Sequence, residues 1–439
     1  QLYYNGNNVK LSTTNTGITV TGEVATSQDY PNIRPTLDLN FAAEKKLDPR
    51  ITYRRTGSAS FTDEFGKVVI VGDNAPRFDH DPTTRECKGL LLEESRTNLL
   101  SYSIPDSSWQ VSQATITENA GIAPDGTNTA VLHSDNNTSN QHLLYTTATV
   151  SSGTNYVVTS YLKQPSSNSR RYYSLTIHGL GYIIFDIQNG TVHNSSGTGI
   201  QGASITAVDN GWYRVKAHYI TNNTNGNIYW LPIGDDGTSV VYTGASTAQG
   251  MLIWGCQLEA STFETSYIPT FGSTATRGKD LAEIDGEDFT DFFNQTEGTI
   301  NCAYWLGNDN IGTRICQISS SNYSVLDIVS GSGSGVGGYG YVYTNGAAQA
   351  NAGQSSTNAN YLNKLHVVTL AYKENDIAGI NRNTGVVTND TSATLHGGYD
   401  HLSFYQRSGE GNQLNGHLQR VQYYPKRLPD NQLKNINNQ

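Results

Sequence analysis

The sequence predicts an all-β protein built as short N-terminal strands followed by two antiparallel β-sandwiches. Three observations carry that expectation. Short apolar or period-two runs recur along the chain between clusters of Gly, Asn, Asp, Ser and Pro, as strands joined by turns should. Only 15% of the residues are charged, while Gly numbers 44 and Tyr 27, a balance that favours strands and turns over helices. At 439 residues the chain is too long for one sandwich, and length alone points to roughly two to four domains.

Residues 2–24 alternate apolar and polar positions around turns such as Asn5-Gly6, which predicts two short strands. A pair this small cannot bury a core by itself, so a frayed terminal hairpin is the alternative to a strand pair shared between chains. The chain opens at Gln1 inside a segment that is already repetitive, and a longer protein extending upstream is expected. Thr36-Leu37-Asp38-Leu39-Asn40-Phe41 alternates with period two, and Lys67-Val68-Val69-Ile70-Val71 precedes the turn Gly72-Asp73-Asn74, giving two further strands. The charged stretch from Glu44 to Arg50 is expected as a solvated loop. Residues 76–98 read as a polar turn around Asp79-His80-Asp81-Pro82, an apolar strand at Leu90-Leu91-Leu92 and a charged exit.

From 99 to 270, strand-like runs at 154–162, 182–187, 211–217 and 251–259 are spaced by turn clusters as in an antiparallel sandwich. Residues 271–279 predict a linker, and 280–439 a second β-unit with strands at 298–305, 365–372 and 415–425 and a short helix at 429–433. Glycines at 331, 333, 335, 337, 338 and 340 mark a low-complexity loop.

Several of these segments resemble known families. The run from Pro76-Arg77-Phe78-Asp79-His80-Asp81-Pro82 to Glu93-Glu94-Ser95-Arg96-Thr97-Asn98 closely resembles a segment recurring in tailed-bacteriophage tail-fibre and tail-tip proteins. Residues 2–24 resemble phage fibre-shaft repeats, whose strands are shared by three chains. Asn98-Leu99-Leu100 with Trp109, Asn210-Gly211-Trp212-Tyr213-Arg214, and Trp254-Gly255-Cys256-Gln257-Leu258-Glu259-Ala260 closing at Tyr267-Ile268-Pro269-Thr270 together resemble the jelly-roll carbohydrate-binding modules of phage tail proteins. The pattern of 280–439 resembles the concanavalin/laminin-G-like sandwich that ends many such proteins. The resemblances imply a fibre-shaft-like repeat at 1–30, a collar or connector at 31–98, a jelly-roll module at 99–270, a linker at 271–279 and a lectin-like domain at 280–439. They imply a virion appendage, a tail fibre assembled in the host cytoplasm as a homotrimer beside other virion proteins, that attaches to the host through cell-surface polysaccharide. Two alternatives stay open: a glycan depolymerase or endoglycosidase of the tail, and a purely structural fibre or capsid decoration protein.

The formal net charge of −10 lacks the phosphate-neutralising term that nucleic-acid binding needs. No apolar run reaches about 18 residues, the length a membrane-spanning helix requires. Neutral, hydroxyl-rich partners suit such a surface. Stacking on sugar C–H groups calls for a flat aromatic face flanked by amides or carboxylates. Trp212, Trp254 and Trp305 fall within apolar runs and are expected in the core. Trp230 alternates with Tyr229, so one of the two faces outward, and this pair is the preferred platform of the middle domain. Tyr339, Tyr341 and Tyr343 share one face of a strand, serving either as a recognition surface or as a subunit contact. Tyr229, Trp230, Tyr339, Tyr341 and Tyr343 are therefore the candidate glycan-binding residues.

No catalytic residue and no cofactor is assigned. Glu93, Glu94, Glu259, Glu264, Asp285 and Glu287 are available acids, but Glu93 and Glu94 point to opposite faces of an extended run. No nucleophile elbow, P-loop or His-Glu-x-x-His motif occurs. A structural calcium is the open alternative at Asp79-His80-Asp81 or Asp235-Asp236-Gly237-Thr238, although Asx turns account for both. Cys87, Cys256, Cys302 and Cys316 lack metal-cluster spacing. Cys302 and Cys316 are expected as cross-strand neighbours, either free thiols or a disulfide.

Overall fold

Period-two alternation sorts the side chains of most strands onto a buried and an open face, and pairing the buried faces produces two sandwiches. The computed structural model describes residues 30–438 apart from 246, 308–312, 322–323, 332–337, 354–363 and 406–412, together with the backbone of 2–4, 8–14 and 17–20. The first sandwich packs two six-stranded antiparallel sheets. One is ordered Gln110–Ser112, Leu143–Thr147, Asn227–Pro232, Tyr172–Ile177, Tyr182–Asp186, Thr191–Ser196, and the other Ala114–Gly121, Ala130–Asp135, Gly250–Glu259, Asn155–Lys163, Tyr213–Ile220, Ile200–Ala207. The expected all-β class holds. Among the described residues the longest helix is Asp430–Asn437, and no helix is long and apolar enough to cross a membrane.

The strand Gly250–Glu259 shows how residue order becomes packing. Met251 and Ile253 enter the core between the sheets, while Leu252 and Trp254 enter a smaller core on the sheet's other side. Gly255, with φ +61°, then makes a bulge that shifts the register against Asn155–Lys163, so that Cys256 and Leu258 return to the inter-sheet core. A Cβ on Gly255 would meet the Tyr161 ring at 2.8 Å, so space and backbone both require glycine here. Asn98 is structural in the same sense. Its buried amide donates to the carbonyls of Cys256 and Ile268, and its oxygen accepts from the N–H groups of Leu100 and Leu258. Trp212 and Trp254 share the smaller core with Tyr161, Tyr267 and Val68, their indoles donating to the Ile122 carbonyl and the Thr129 hydroxyl.

The second sandwich draws on more chain than 280–439. Its seven-stranded sheet is ordered Ala347–Ala352, Tyr339–Thr344, Val325–Val329, Arg314–Ser319, His401–Ser403, Leu281–Asp285, Thr52–Arg54. The facing sheet is ordered Thr388–Asp390, Ile377–Asn381, Leu365–Lys373, Glu297–Leu306, Gly416–Tyr424, Cys87–Leu92, Phe78–His80, and Leu37–Asn40 also pairs with Gly416–Tyr424. The separate collar at 31–98 is thereby corrected: four of its strands complete this sandwich, because Leu37, Leu39, Leu90 and Leu92 find their apolar cover in its core. The linker at 271–279 is corrected as well. Ala275–Arg277 pairs with Arg96–Asn98, and Arg277 is fully buried.

Two smaller expectations also change. Cys302 and Cys316 are buried free thiols that meet across the core from opposite sheets, not from neighbouring strands. Trp305 is half-buried beside the Lys88 ammonium, 5.8 Å from its ring, since the inward position on its strand belongs to Tyr304. At the N-terminus Leu2–Tyr4, Asn8–Thr14 and Gly17–Val20 form three antiparallel strands, not two. The glycine-rich loop at 331–340 falls largely on 332–337, outside the described residues.

One buried ionic cluster ties the two sandwiches together. The Glu93 carboxylate accepts hydrogen bonds from Arg77 and Arg277, both at 2.7 Å, and from the Ser266 N–H and hydroxyl at 2.7 and 2.6 Å. Asp280 accepts from Arg77 at 2.6 Å, from the Glu93 N–H at 2.7 Å and from the Tyr53 hydroxyl, with the Arg55 Nε 3.4 Å away. Burial alone would raise the Glu93 carboxyl, but Arg277, Arg77 and Ser266 hold it well below the usual carboxylate range. Arg277→Ala takes from the buried Glu93 carboxylate one of its two guanidinium partners and strands the Glu94 carbonyl, so it should destabilise the protein by about 3 to 5 kcal/mol in urea denaturation. Limited proteolysis of the native protein should spare 275–280, and an early cut there would contradict the docked arrangement.

Candidate functional site

On the strand Asn227–Pro232 alternation turns Trp230 inward and Tyr229 outward. Trp230 is fully buried against Trp109, ring centroids 4.8 Å apart. It is therefore removed from the platform: Leu144 and Leu175 flank it on the two neighbouring strands within the inter-sheet core, and a buried indole offers no face to a sugar. Tyr229 instead lines an open cleft of about 330 Å³ with Gln141, Leu143, Thr176, His178, Tyr182 and Leu231. Tyr145 lies directly opposite Tyr229 on the neighbouring strand, the rings 5.3 Å apart at 39°. The Tyr229 hydroxyl is held by the Asn227 amide at 3.2 Å and lies 3.1 Å from His178 Nδ1, and Gln141 donates to the Tyr182 hydroxyl at 3.1 Å. The result is a half-buried aromatic pair ringed by amide, imidazole and phenol groups, which is the side-chain set that stacks on C–H faces and meets hydroxyls. Sequence alternation pointed to Tyr229 but not to Tyr145, His178 or Gln141, which come from other strands and turns.

Tyr339, Tyr341 and Tyr343 do share one face of the strand Tyr339–Thr344, all three half-buried. Tyr341 and Tyr343 stack with centroids 5.7 Å apart at 29°, and Tyr339 stands edge-on to Tyr341. This row belongs to the second sandwich, so the five candidate residues form two separate groups. Opposite Tyr341 in register lies Asp327, buried and bonded to Gln317 at 2.9 Å. Burial raises its carboxyl to about 6, against the pull of Arg314 and Gln317.

The remaining acidic motifs are occupied by turns and ion pairs. Asp236 caps its turn through the Thr238 and Ser239 N–H groups while Asp235 pairs with Arg170. Asp79 accepts from the Thr62 N–H and lies 2.7 Å from His417, and Asp81 caps Thr83 and Thr84. Among the described residues no three His, Cys, Asp or Glu side chains come together as a metal site.

Among solved structures the chain has a distant likeness to Trypanosoma rangeli sialidase in complex with sialic acid, at 11% identity and TM-score 0.28, covering 74% of this chain and 62% of that one. It is also similar to mouse laminin alpha1 chain domains LG4-5, at 12% and 0.22, covering 66% and 87%. A third is the N-terminal CBM22-1-CBM22-2 tandem domain from Paenibacillus barcinonensis Xyn10C, at 7% and 0.23, covering 76% and 99%. The chain spans less than two thirds of the sialidase it matches. At these scores the likenesses carry no argument about what the chain does. No protein-family model matches the sequence, and no curated protein matches it.

Two outcomes follow from this geometry. Trp230→Ala should destabilise the fold by about 3 to 5 kcal/mol, as Trp254→Ala should, because each opens a large cavity, whereas Tyr229→Ala should stay near 1 kcal/mol. Asp327 works against the fold at neutral pH. A carboxyl raised from 3.8 to about 6 gives stability fully present below its unfolded value and lost as pH rises through the folded one. Measured by urea denaturation, Asp327→Asn should therefore compare better with wild type at pH 8 than at pH 4, by on the order of 2 to 3 kcal/mol. No difference between the two pH values would show that this carboxyl is not perturbed.

Proposed function

We propose that this chain is part of a phage tail fibre or related virion appendage and attaches it to the host by binding cell-surface glycan. The observation that carries the binding half is Tyr229, paired with the Tyr145 ring of the neighbouring strand and lining a cleft with Gln141, His178 and Tyr182. The virion half rests on residues 76–98 and 2–24 and their resemblance to fibre segments. In this reading the fibre is a homotrimer sharing its N-terminal strands, and the tyrosine row of the second sandwich is either a second sugar platform or the contact between copies. On a glycan array the protein should bind a restricted set of saccharides, and Tyr229→Ala should weaken that binding by about 1 to 3 kcal/mol with the fold intact. An array with no binding would favour a purely structural fibre. Sedimentation at micromolar concentration should give a trimer, and a stable monomer would remove the shaft.

A hydrolytic reading has one observation in its favour. Ser319 Oγ lies 2.5 Å from His401 Nε2 on the neighbouring strand, and His401 Nδ1 pairs with the Asp400 carboxylate, the order of contacts that activates a serine. Both Ser319 and His401 are buried, which also fits a satisfied polar network. Labelling by a fluorophosphonate probe, lost in Ser319→Ala, would establish a nucleophile; absence of labelling would leave the network structural.

A further inference from the structure

Beside the ionic cluster lies an open cleft of about 940 Å³, lined by Arg54, Arg55, Tyr53, Arg96, Glu94 and Lys279 among others. We infer that this junction cleft is an anion site that takes a carboxylate-bearing sugar of an acidic polysaccharide. The inference rests on the glycan reading above and names its substrate class.

Underneath the cleft lies a cluster of buried charge. Three fully buried guanidiniums, Arg55, Arg77 and Arg277, face two buried carboxylates, Glu93 and Asp280. Adding the next layer brings in Arg214 and Lys216 with Glu259 and Glu264 and leaves the excess unchanged; burial pushes the Glu259 carboxyl up, which lessens its value as a counter-charge. Burial, with Arg77 alongside, draws the Arg277 guanidinium below its ordinary value although Glu93 opposes this, whereas against the pull of burial Asp280 and Glu93 hold Arg77 above its own. A buried positive charge without its counter-ion is unfavourable, and an anion in the cleft would supply the missing charge.

The rim supplies the second observation. Arg96 and Glu94 cancel as an ion pair, but Arg54 is exposed and Lys279 half-buried, and among the described residues neither side chain has a hydrogen-bond or ion-pair partner. Arg54 ends the strand Thr52–Arg54 and lies opposite Leu281, and Lys279 sits two residues before that partner, in the segment leading into its strand. Both belong to a chain of net charge −10, so two unpaired cations above a buried positive excess are a local reversal of the general field. Tyr53, Thr52, Ser95 and Gln413 line the same space and provide groups that bond sugar hydroxyls, which a site for a bare inorganic anion does not need.

Isothermal titration calorimetry would test this on the full chain with oligogalacturonate and oligoglucuronate, each beside its methyl-esterified, uncharged counterpart. At least one acid form should bind, more weakly as sodium chloride is raised, and its ester should bind about tenfold less tightly or worse. The Arg54→Ser/Lys279→Ser double variant should lose about tenfold in affinity for the acid with an unchanged melting temperature, while Tyr229→Ala should bind it as wild type does. Equal binding of acid and ester, no binding of either acid, an unaffected double variant, or displacement by equimolar inorganic phosphate would each overturn the inference. Failure here is separable from failure of the attachment reading: neutral-glycan binding that depends on Tyr229 would keep that reading and refute only this cleft.

Discussion

The pairing of Glu93 and Asp280 with Arg55, Arg77 and Arg277 is the constraint on which the rest of the architecture hangs. An ion taken from water into a protein interior loses several kcal/mol of solvation, which is recovered only if its hydrogen-bonding capacity is met. Glu93 meets it with bonds from Arg77, Arg277 and both donors of Ser266, and those partners come from the connector, the strand joining the sandwiches and the end of the first sandwich. Each bond therefore fixes a different segment of chain against the others. The alternative of sandwiches swinging on a free joint would expose or strand these charges, so docking and ion pairing stand or fall together.

Much of the fold was legible because strand periodicity is local. The tyrosine row at 339, 341 and 343 needed only the pleat, and Trp254 with its neighbours needed only an apolar run. Partner choice is not local. Leu37 and Leu90 announce an apolar face, yet nothing near them says that the face belongs to the strand Gly416–Tyr424, more than three hundred residues away. The connector thus read as a collar when it is four strands of a sandwich. Residues 271–279 read as a linker for a related reason: Gly, Ser and Thr signal solvent on average, while the decisive residue, Arg277, is buried only because Glu93 waits for it.

The site was legible to the same depth. Alternation required one of Tyr229 and Trp230 to face out, but the choice between them depends on Trp109 packing against the indole and on the inter-sheet core that Leu144 and Leu175 build beside it. His178 and Gln141 reach the cleft from turns whose positions are set by the sheet beneath. Several motifs that carry the family resemblance proved to be packing devices: Asn98 satisfies four backbone groups and Gly255 resets the strand's alternation. A motif preserved by packing reports the fold, and function has to be argued from the surfaces that packing leaves open.

Net charge illustrates the same separation of scales. A total of −10 bears on steering from a distance, and it disfavours a partner such as nucleic acid that needs cations arrayed along many phosphates. Within a cleft the relevant length is the screening distance, about 8 Å at physiological ionic strength, and over that span the charges that count are Arg54, Lys279 and the buried guanidiniums below. The aromatic cleft of the first sandwich and the cationic cleft at the junction thus ask different things of a polysaccharide, a bare C–H face in one place and a carboxylate in the other. A polymer that offers both along its length would engage the two at once, and two weak sites of this kind would then combine through effective concentration, with no single strong site required.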